Sequence, residues 1–199
     1  TGPVTVARII KAQESMFAYQ STPGLGMDHP FYSPWWQWPL ILKPMWFDQD
    51  KFEPSGYAST IMCMGNPLIF YVGALCMVIV LALFVRKYLS FRGGLRFRQG
   101  DGNLTYALVV LGFLAQYLPW VLVPRSMYIY HYFASVPFII LATMLVFNLM
   151  RDGKWKRRVM IAYVALAAVF FAMFYPYASG LLTPTWYLDW LKWFPKIYY

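Results

Sequence analysis

One arginine and one histidine stand between two long apolar stretches of this chain, in the segment LPWVLVPRSMYIYHYF at positions 118–133. The guanidinium of Arg125 is a rigid fork of donors that fits the oxygens of a phosphate. His131 and the hydroxyls of Tyr128, Tyr130 and Tyr132 could complete such a site. These residue types predict binding of a phosphate-bearing ligand. The alternative is that Arg125 sits at a helix end and only extends its charged head into water.

The stretches on either side of this segment have the composition of membrane-spanning helices. Hydrophobic residues make up 60% of the chain and charged residues 13%, whereas about 25% is usual for charged residues in soluble proteins. Four apolar runs exceed the roughly 18 residues that a spanning helix requires. Because the runs do not alternate, they favour helices over barrel strands. The sequence therefore predicts an all-α integral membrane protein with spans at about 67–86, 104–124, 131–150 and 159–177.

The positive charges are concentrated in the two segments that connect spans one to two and three to four. Only Asp101 and Asp152 oppose them there, so the net charge of +9 indicates membrane topology rather than nucleic-acid binding. By the positive-inside rule both segments are cytoplasmic, which places both termini and residues 118–133 on the extracytoplasmic side. Anionic lipid heads are expected partners of these cations: Arg86, Lys87, Arg92, Arg96, Arg98, Arg151, Lys154, Lys156, Arg157 and Arg158.

The segments outside the spans predict structures that lie on the outer membrane surface. Apolar residues at helical spacing in 4–17 indicate an amphipathic helix, and four prolines with four tryptophans in 27–47 indicate an irregular aromatic loop. At the other end, Thr183 is the predicted N-cap of a short interfacial helix. Residues 1–65 and 178–199 are thus outer segments that flank a membrane region at 66–177. The aromatic loop is expected to place four side chains at an outer cavity or at the interface: His29, Trp35, Trp36 and Trp38.

No residue of the chain is a convincing catalytic base or metal ligand. The triplet Asp48–Asp50 has the form of a metal-binding motif, but a solvated loop is the favoured interpretation, and no metal is predicted. Cys63 and Cys76 have no metal-binding or redox spacing and are predicted to be unpaired. The centres of the spans contain no charged residue, which argues against an ion pathway or a proton relay. The catalytic residues therefore stay unassigned.

Three motifs, in this order, resemble the C-terminal membrane region of protein O-mannosyltransferases. They are HPFYSPWWQWPL at 29–40, MGNPLIFYVG at 64–73 and YLPWVLVPRSMYIYHYFASVPF at 117–138. The resemblance implies the C-terminal part of a C-type glycosyltransferase fold. It also implies transfer of mannose from a polyprenyl-phosphate carrier to serine or threonine of proteins. The donor is then a lipid-linked sugar substrate, and no cofactor is expected. Gln20 departs from the family, which often has histidine there.

The resemblance further implies that Arg125, His131, Tyr128 and Tyr130 contact the phosphate of the lipid donor in a bacterial plasma membrane. The family's catalytic acidic pair lies in the N-terminal part of the full enzyme, which also meets the acceptor protein. We therefore expect this chain to be a C-terminal fragment that is inactive on its own. The alternative function is a non-catalytic four-helix membrane scaffold or assembly subunit.

Overall fold

Four helical segments long and apolar enough to cross a membrane are present among the residues that the structure, a computed structural model, describes. The described residues are 4–49, 52–90, 96–97, 104–195 and 197, so that Asp50, Arg92, Arg98 and Asp101 lie outside them. The predicted class of an all-α integral membrane protein is confirmed. The four segments are Pro67–Tyr88, Thr105–Leu122, Ile129–Asn148 and Lys154–Ser179.

Six α-helices and three short 3-10 helices are present in the part of the chain that the structure describes. Helix α1 precedes the membrane region, α2 to α5 belong to the four spans, and α6 follows them. Two of the 3-10 helices extend spans at the end that carries residues 118–133, which we call the outer side. The α-helices are α1 (Val6–Gln20), α2 (Pro67–Tyr88), α3 (Thr105–Tyr117), α4 (Val136–Asn148), α5 (Lys154–Ser179) and α6 (Thr185–Trp190), and the 3-10 helices are Trp35–Leu40, Leu118–Leu122 and Ile129–Ser135.

Asn66 both starts α2 and connects it to α5. Its side-chain oxygen accepts hydrogen bonds from the amide nitrogens of Leu68 and Ile69, at 3.1 and 3.3 Å. This cap satisfies backbone donors that have no partner within the helix, and Pro67 fits the first helical position. The side-chain nitrogen of Asn66 donates to the carbonyl oxygen of Ala167 in α5, at 2.8 Å.

Small residues let α2, α3 and α4 approach one another closely. A Cβ atom at Gly73 of α2 would lie 2.9 Å from Ile139 of α4, and one at Gly112 of α3 would overlap the ring of Phe138. Such contacts hold spans together in lipid, where no hydrophobic force drives helices toward each other. The opposite faces of the spans expose apolar side chains such as Leu75 and Val164, as contact with lipid requires.

Short antiparallel strand pairs, which the sequence did not indicate, lie outside the spans: two are in the outer segments, and the third is in the basic connection between spans one and two. Strand β1 (Met45–Gln49) pairs with β3 (Thr60–Cys63), and Trp46 Nε1 donates to Thr60 Oγ1 at 2.9 Å. Strand β2 (Tyr57–Ala58) pairs with β6 (Thr183–Pro184), while β4 (Leu89–Ser90) pairs with β5 (Arg96–Phe97). Strands of two to five residues are too short to produce a readable alternation of polar and apolar residues.

The pairing of β2 with β6 also corrects the predicted start of the C-terminal helix. Thr183 is not the N-cap, because it lies in β6 and its hydroxyl donates to the carbonyl oxygen of Leu181 at 2.7 Å. A residue before proline favours extended backbone, which suits a strand. Helix α6 begins at Thr185 and ends at Trp190 rather than at Pro195.

Candidate ligand site on the outer side

A cavity of about 850 Å³ opens on the outer side between the last turn of α1 and residues 119–131. Four of the side chains predicted to bind a phosphate line it: Arg125, Tyr128, Tyr130 and His131. Tyr132 is buried and lies outside the wall. Phe17, Gln20 and Ser21 of the α1 end complete the wall, together with apolar side chains of the 118–127 segment. The cavity thus combines an apolar surface with a few polar groups, as ligand sites commonly do.

Backbone hydrogen bonds on both sides of Arg125 fix the position of this residue. The carbonyl oxygen of Pro124 accepts from the amide of Gly24 at 2.9 Å, and the amide of Ser126 donates to the carbonyl oxygen of Leu25 at 2.8 Å. The turn that follows α1 therefore holds the cavity segment on both sides of the arginine.

Gly26 makes this close approach possible. Its φ of +71° lies in the left-handed region that glycine adopts without strain. A Cβ atom there would lie only 2.7 Å from Oγ of Ser126. The backbone conformation therefore favours glycine at position 26, and a larger residue would force the side chain of Ser126 to move.

Arg125 has no protein counter-charge within the described parts of the chain. Its side chain is half-buried, and the ion pairs found there are Lys156 with Asp152 and Lys192 with Asp189, both outside this cavity. No described residue hydrogen bonds to its guanidinium. A cation in a partly apolar cavity attracts an anion more strongly than one in open water. The arrangement is therefore suited to an anionic ligand.

His131 is held by its neighbours on several sides. Its Nδ1 lies 3.2 Å from the amide nitrogen of Tyr128 and 2.9 Å from the carbonyl oxygen of that residue, so this nitrogen has a partner in either tautomer. Its ring stacks on Trp38, with centroids 5.9 Å apart, and contacts Trp120 at 4.2 Å. The imidazole therefore has a structural role as well as a place in the cavity wall.

The aromatic loop supports the cavity but does not line it. His29, Trp35, Trp36 and Trp38 are all outside the wall. His29 packs its ring edge to face against Tyr128, with centroids 5.2 Å apart. It therefore supports a residue of the cavity wall without lining the cavity itself. Two of the four thus contact cavity residues directly, Trp38 on His131 and His29 on Tyr128.

The three tryptophans of this loop that were predicted to lie at the cavity or the interface differ in burial. Trp38 is completely buried, and its Nε1 donates to the carbonyl oxygen and to the hydroxyl of Ser33, at 3.1 and 3.0 Å. Trp36 is 51% exposed. Trp35 is half-buried, and its ring packs edge to face against Tyr117. Only Trp36 therefore has the exposure expected of a side chain at the membrane interface.

The described cavity wall contains binding groups but no carboxylate. No set of three metal-ligating side chains occurs anywhere among the residues that the structure describes. Both cysteines are free, as predicted, and burial raises the pKa of the Cys63 thiol to about 12. Since the thiolate is the reactive form, burial disfavours Cys63 as a nucleophile. The cavity is suited to holding an anion rather than to deprotonating a substrate.

Fold and cavity together define the class of protein: an integral membrane domain of four spans with a candidate ligand site on its outer side. Residues 5–197 match the family described as the C-terminal four-transmembrane region of protein O-mannosyltransferase. This chain belongs to that family, which confirms the resemblance seen in the three sequence motifs.

Two bacterial relatives are called polyprenol-phosphate-mannose–protein mannosyltransferase. The protein from Mycobacterium tuberculosis (strain ATCC 25618 / H37Rv) is 30% identical over 187 residues, which cover 85% of this chain and 33% of the relative. The protein from Mycolicibacterium smegmatis (strain ATCC 700084 / mc(2)155) is 26% identical over 203 residues, covering 90% and 37%. The chain therefore spans about a third of the length of these relatives.

A solved structure shares the fold. It is the Saccharomyces cerevisiae protein O-mannosyltransferase Pmt1-Pmt2 complex bound to the sugar donor. The match has a TM-score of 0.75, covers 100% of this chain and 28% of that chain, and has 18% sequence identity. The arrangement of helices is therefore common to both proteins.

Proposed function

We propose that this chain holds the phosphate of a polyprenyl-phosphate-mannose donor for transfer of mannose to serine or threonine of proteins. The observation that carries the proposal is the guanidinium of Arg125, which no described residue pairs with, in a cavity of about 850 Å³. Tyr128, Tyr130 and His131 share that cavity. The names of the bacterial relatives, which include the same donor, support the choice of ligand.

A fixed cation at this position would assist the reaction as well as binding. When the bond between mannose and phosphate breaks, negative charge accumulates on the leaving lipid phosphate. A guanidinium already held in place stabilises that charge without having to reorganise. Deprotonation of the acceptor hydroxyl falls to residues outside this cavity, because none of its described walls carries a carboxylate.

The proposed donor site faces the extracytoplasmic side of a bacterial plasma membrane. The basic residues at 151–158 lie at the opposite end of the spans from the cavity. The positive-inside rule supports a cytoplasmic position for them and an extracytoplasmic position for both termini. Membrane lipids, the lipid-linked donor and an acceptor protein are the proposed partners.

Arg125→Lys should weaken donor binding by about tenfold or more while leaving the fold intact. Lysine keeps the charge but loses the two-pronged match to phosphate oxygens, and a charged hydrogen bond contributes roughly 1.5–3 kcal/mol. The measurement is the Kd of farnesyl-phosphate-mannose, a short-chain donor, for the purified chain in nanodiscs of zwitterionic lipid. His131→Gln should lose less, because the Nδ1 atom of His131 is already engaged by Tyr128.

The matched control is Arg151→Lys, the same change at an exposed arginine on the basic side of the spans. It should leave the Kd within a factor of two of the wild-type value. If Arg125→Lys also stays within a factor of two, Arg125 only anchors the chain at the membrane surface, and the proposed phosphate site is wrong.

A further inference from the structure

The last turn of α1 forms part of the cavity wall, although the rest of that helix has little contact with the protein. None of the residues of α1 is buried. Phe17 and Gln20 from its last turn, and Ser21 just beyond it, nevertheless line the same cavity as Arg125. The contact of α1 with the rest of the protein is therefore clearest at this cavity.

Hydrogen bonds hold the end of α1 in place. The hydroxyl of Thr22 donates to the carbonyl oxygen of Ala18 at 3.2 Å, and the amide of Ser21 donates to the carbonyl oxygen of Phe17 at 2.9 Å. Two residues after Thr22, the amide of Gly24 bonds to the carbonyl oxygen of Pro124, directly before Arg125. Gln20 and Arg125 are therefore positioned by one short, hydrogen-bonded turn.

The side chain of Gln20 is free to bind a ligand. No residue in the described part of the chain hydrogen bonds to its amide group, and its side chain is exposed where it borders the cavity. A glutamine amide offers two N–H donors and carries no charge at any physiological pH. It can donate to phosphate oxygens that the guanidinium of Arg125 leaves unoccupied.

We propose that Gln20 is a further donor-binding residue, whose amide N–H donates a hydrogen bond to an oxygen of the lipid phosphate. This inference rests on the proposed function, because it assumes that the phosphate occupies the cavity beside Arg125. The two residues have separate roles there. Arg125 supplies the charge, and Gln20 supplies a neutral donor from the second chain segment of the wall.

Gln20→Glu tests the proposal most sharply, because it keeps the shape of the side chain but replaces the donor with a negative charge. We expect the Kd of farnesyl phosphate for the purified chain in zwitterionic nanodiscs to rise at least tenfold. Gln20→Ala, which removes the hydrogen bond without repulsion, should raise it about threefold to tenfold. Inorganic phosphate, measured in parallel, should bind far more weakly than farnesyl phosphate, since the apolar part of the wall contacts the lipid.

The matched control is Gln13→Glu, which introduces the same charge two turns earlier on the same face of α1. Gln13 is exposed and does not line the cavity. The Kd of farnesyl phosphate for Gln13→Glu should therefore stay within a factor of two of the wild-type value. If Gln20→Glu binds farnesyl phosphate as tightly as Gln13→Glu does, while Arg125→Lys binds it more weakly, the proposed role of Gln20 is wrong and the proposed function stands. If neither Gln20→Glu nor Arg125→Lys changes the Kd, both proposals fail. Equal binding of inorganic phosphate and farnesyl phosphate would overturn the assignment to a lipid phosphate.

Discussion

Trp38→Ala should lower the free energy of unfolding by about 3–5 kcal/mol, the usual cost of removing a fully buried tryptophan. The indole is completely buried and packs against Tyr117, Trp120 and His131. Its loss leaves a cavity that these rings cannot fill without moving, and Ser33 loses its hydrogen-bond donor. The measurement is the denaturant or thermal midpoint of the purified chain, followed by intrinsic fluorescence or circular dichroism.

Trp36→Ala is the control for this prediction, because both residues belong to the same 3-10 helix. Trp36 is 51% exposed, so its removal should cost less than about 1 kcal/mol in detergent. Equal effects of the two substitutions would contradict the position of Trp38 in the core. Trp38→Ala should also weaken binding of the donor, because the stacked ring of His131 loses its support.

Gly26→Ala should destabilise the outer side and also reduce donor binding. A non-glycine residue in the left-handed region costs about 1–2 kcal/mol. The added Cβ also meets Oγ of Ser126 at 2.7 Å, and overpacking of this kind costs roughly another 1–3 kcal/mol. Relief of the contact needs the Ser126 side chain to rotate or the backbone beside Arg125 to shift. We therefore expect a lower midpoint of unfolding together with a higher Kd of farnesyl-phosphate-mannose.

Gly24→Ala separates the two causes. Gly24 has a similar φ of +75°, but nothing lies within 4 Å of the Cβ that alanine would add. Gly24→Ala should lower the midpoint of unfolding by the backbone strain alone and leave the Kd of farnesyl-phosphate-mannose nearly unchanged. Removing the hydroxyl in the double variant Gly26→Ala/Ser126→Ala should recover part of the loss. A Kd that is the same for Gly24→Ala and Gly26→Ala would show that the contact with Ser126 does not position Arg125.

The four spans could be predicted because their signal is local and continuous. A run of about 20 apolar residues is continuous in the sequence, so it is recognisable without knowing what it contacts. The pairing of β1 with β3 could not be predicted in this way. The two strands are only four or five residues long, and the residues between them separate them in the sequence. The contact of β2 with β6 joins opposite ends of the chain, and no local pattern indicates such a pair.

The polar groups of the site could be predicted only in part. Arg125, Tyr128, Tyr130 and His131 lie in one short segment, so their types alone suggested a common site. Gln20 is more than a hundred positions away in sequence, and it reaches the cavity through the turn that bonds to Pro124 and Ser126. Glycines such as Gly24 and Gly26 are typical of a turn, but they do not indicate which segment the turn contacts.

The position of Trp38 shows why composition misled the prediction for the aromatic loop. Tryptophan is common at membrane interfaces because its N–H needs a polar partner while its ring prefers apolar surroundings. Here Ser33, five residues earlier, supplies that partner inside the protein. The indole can therefore be completely buried, and no property of Trp38 itself distinguishes it from the exposed Trp36.

Photo-crosslinking tests the central claim, that the outer cavity holds a lipid phosphate, most directly. The probe is farnesyl phosphate with a diazirine on its first isoprene unit, irradiated with the chain in nanodiscs and mapped by peptide mass spectrometry. We expect cross-links at residues 17–21 and 119–131. They should be suppressed by excess unlabelled farnesyl phosphate and reduced at least several-fold in Arg125→Lys. Cross-links confined to the lipid-facing surface of α5, or cross-links that neither the competitor nor Arg125→Lys reduces, would contradict the claim.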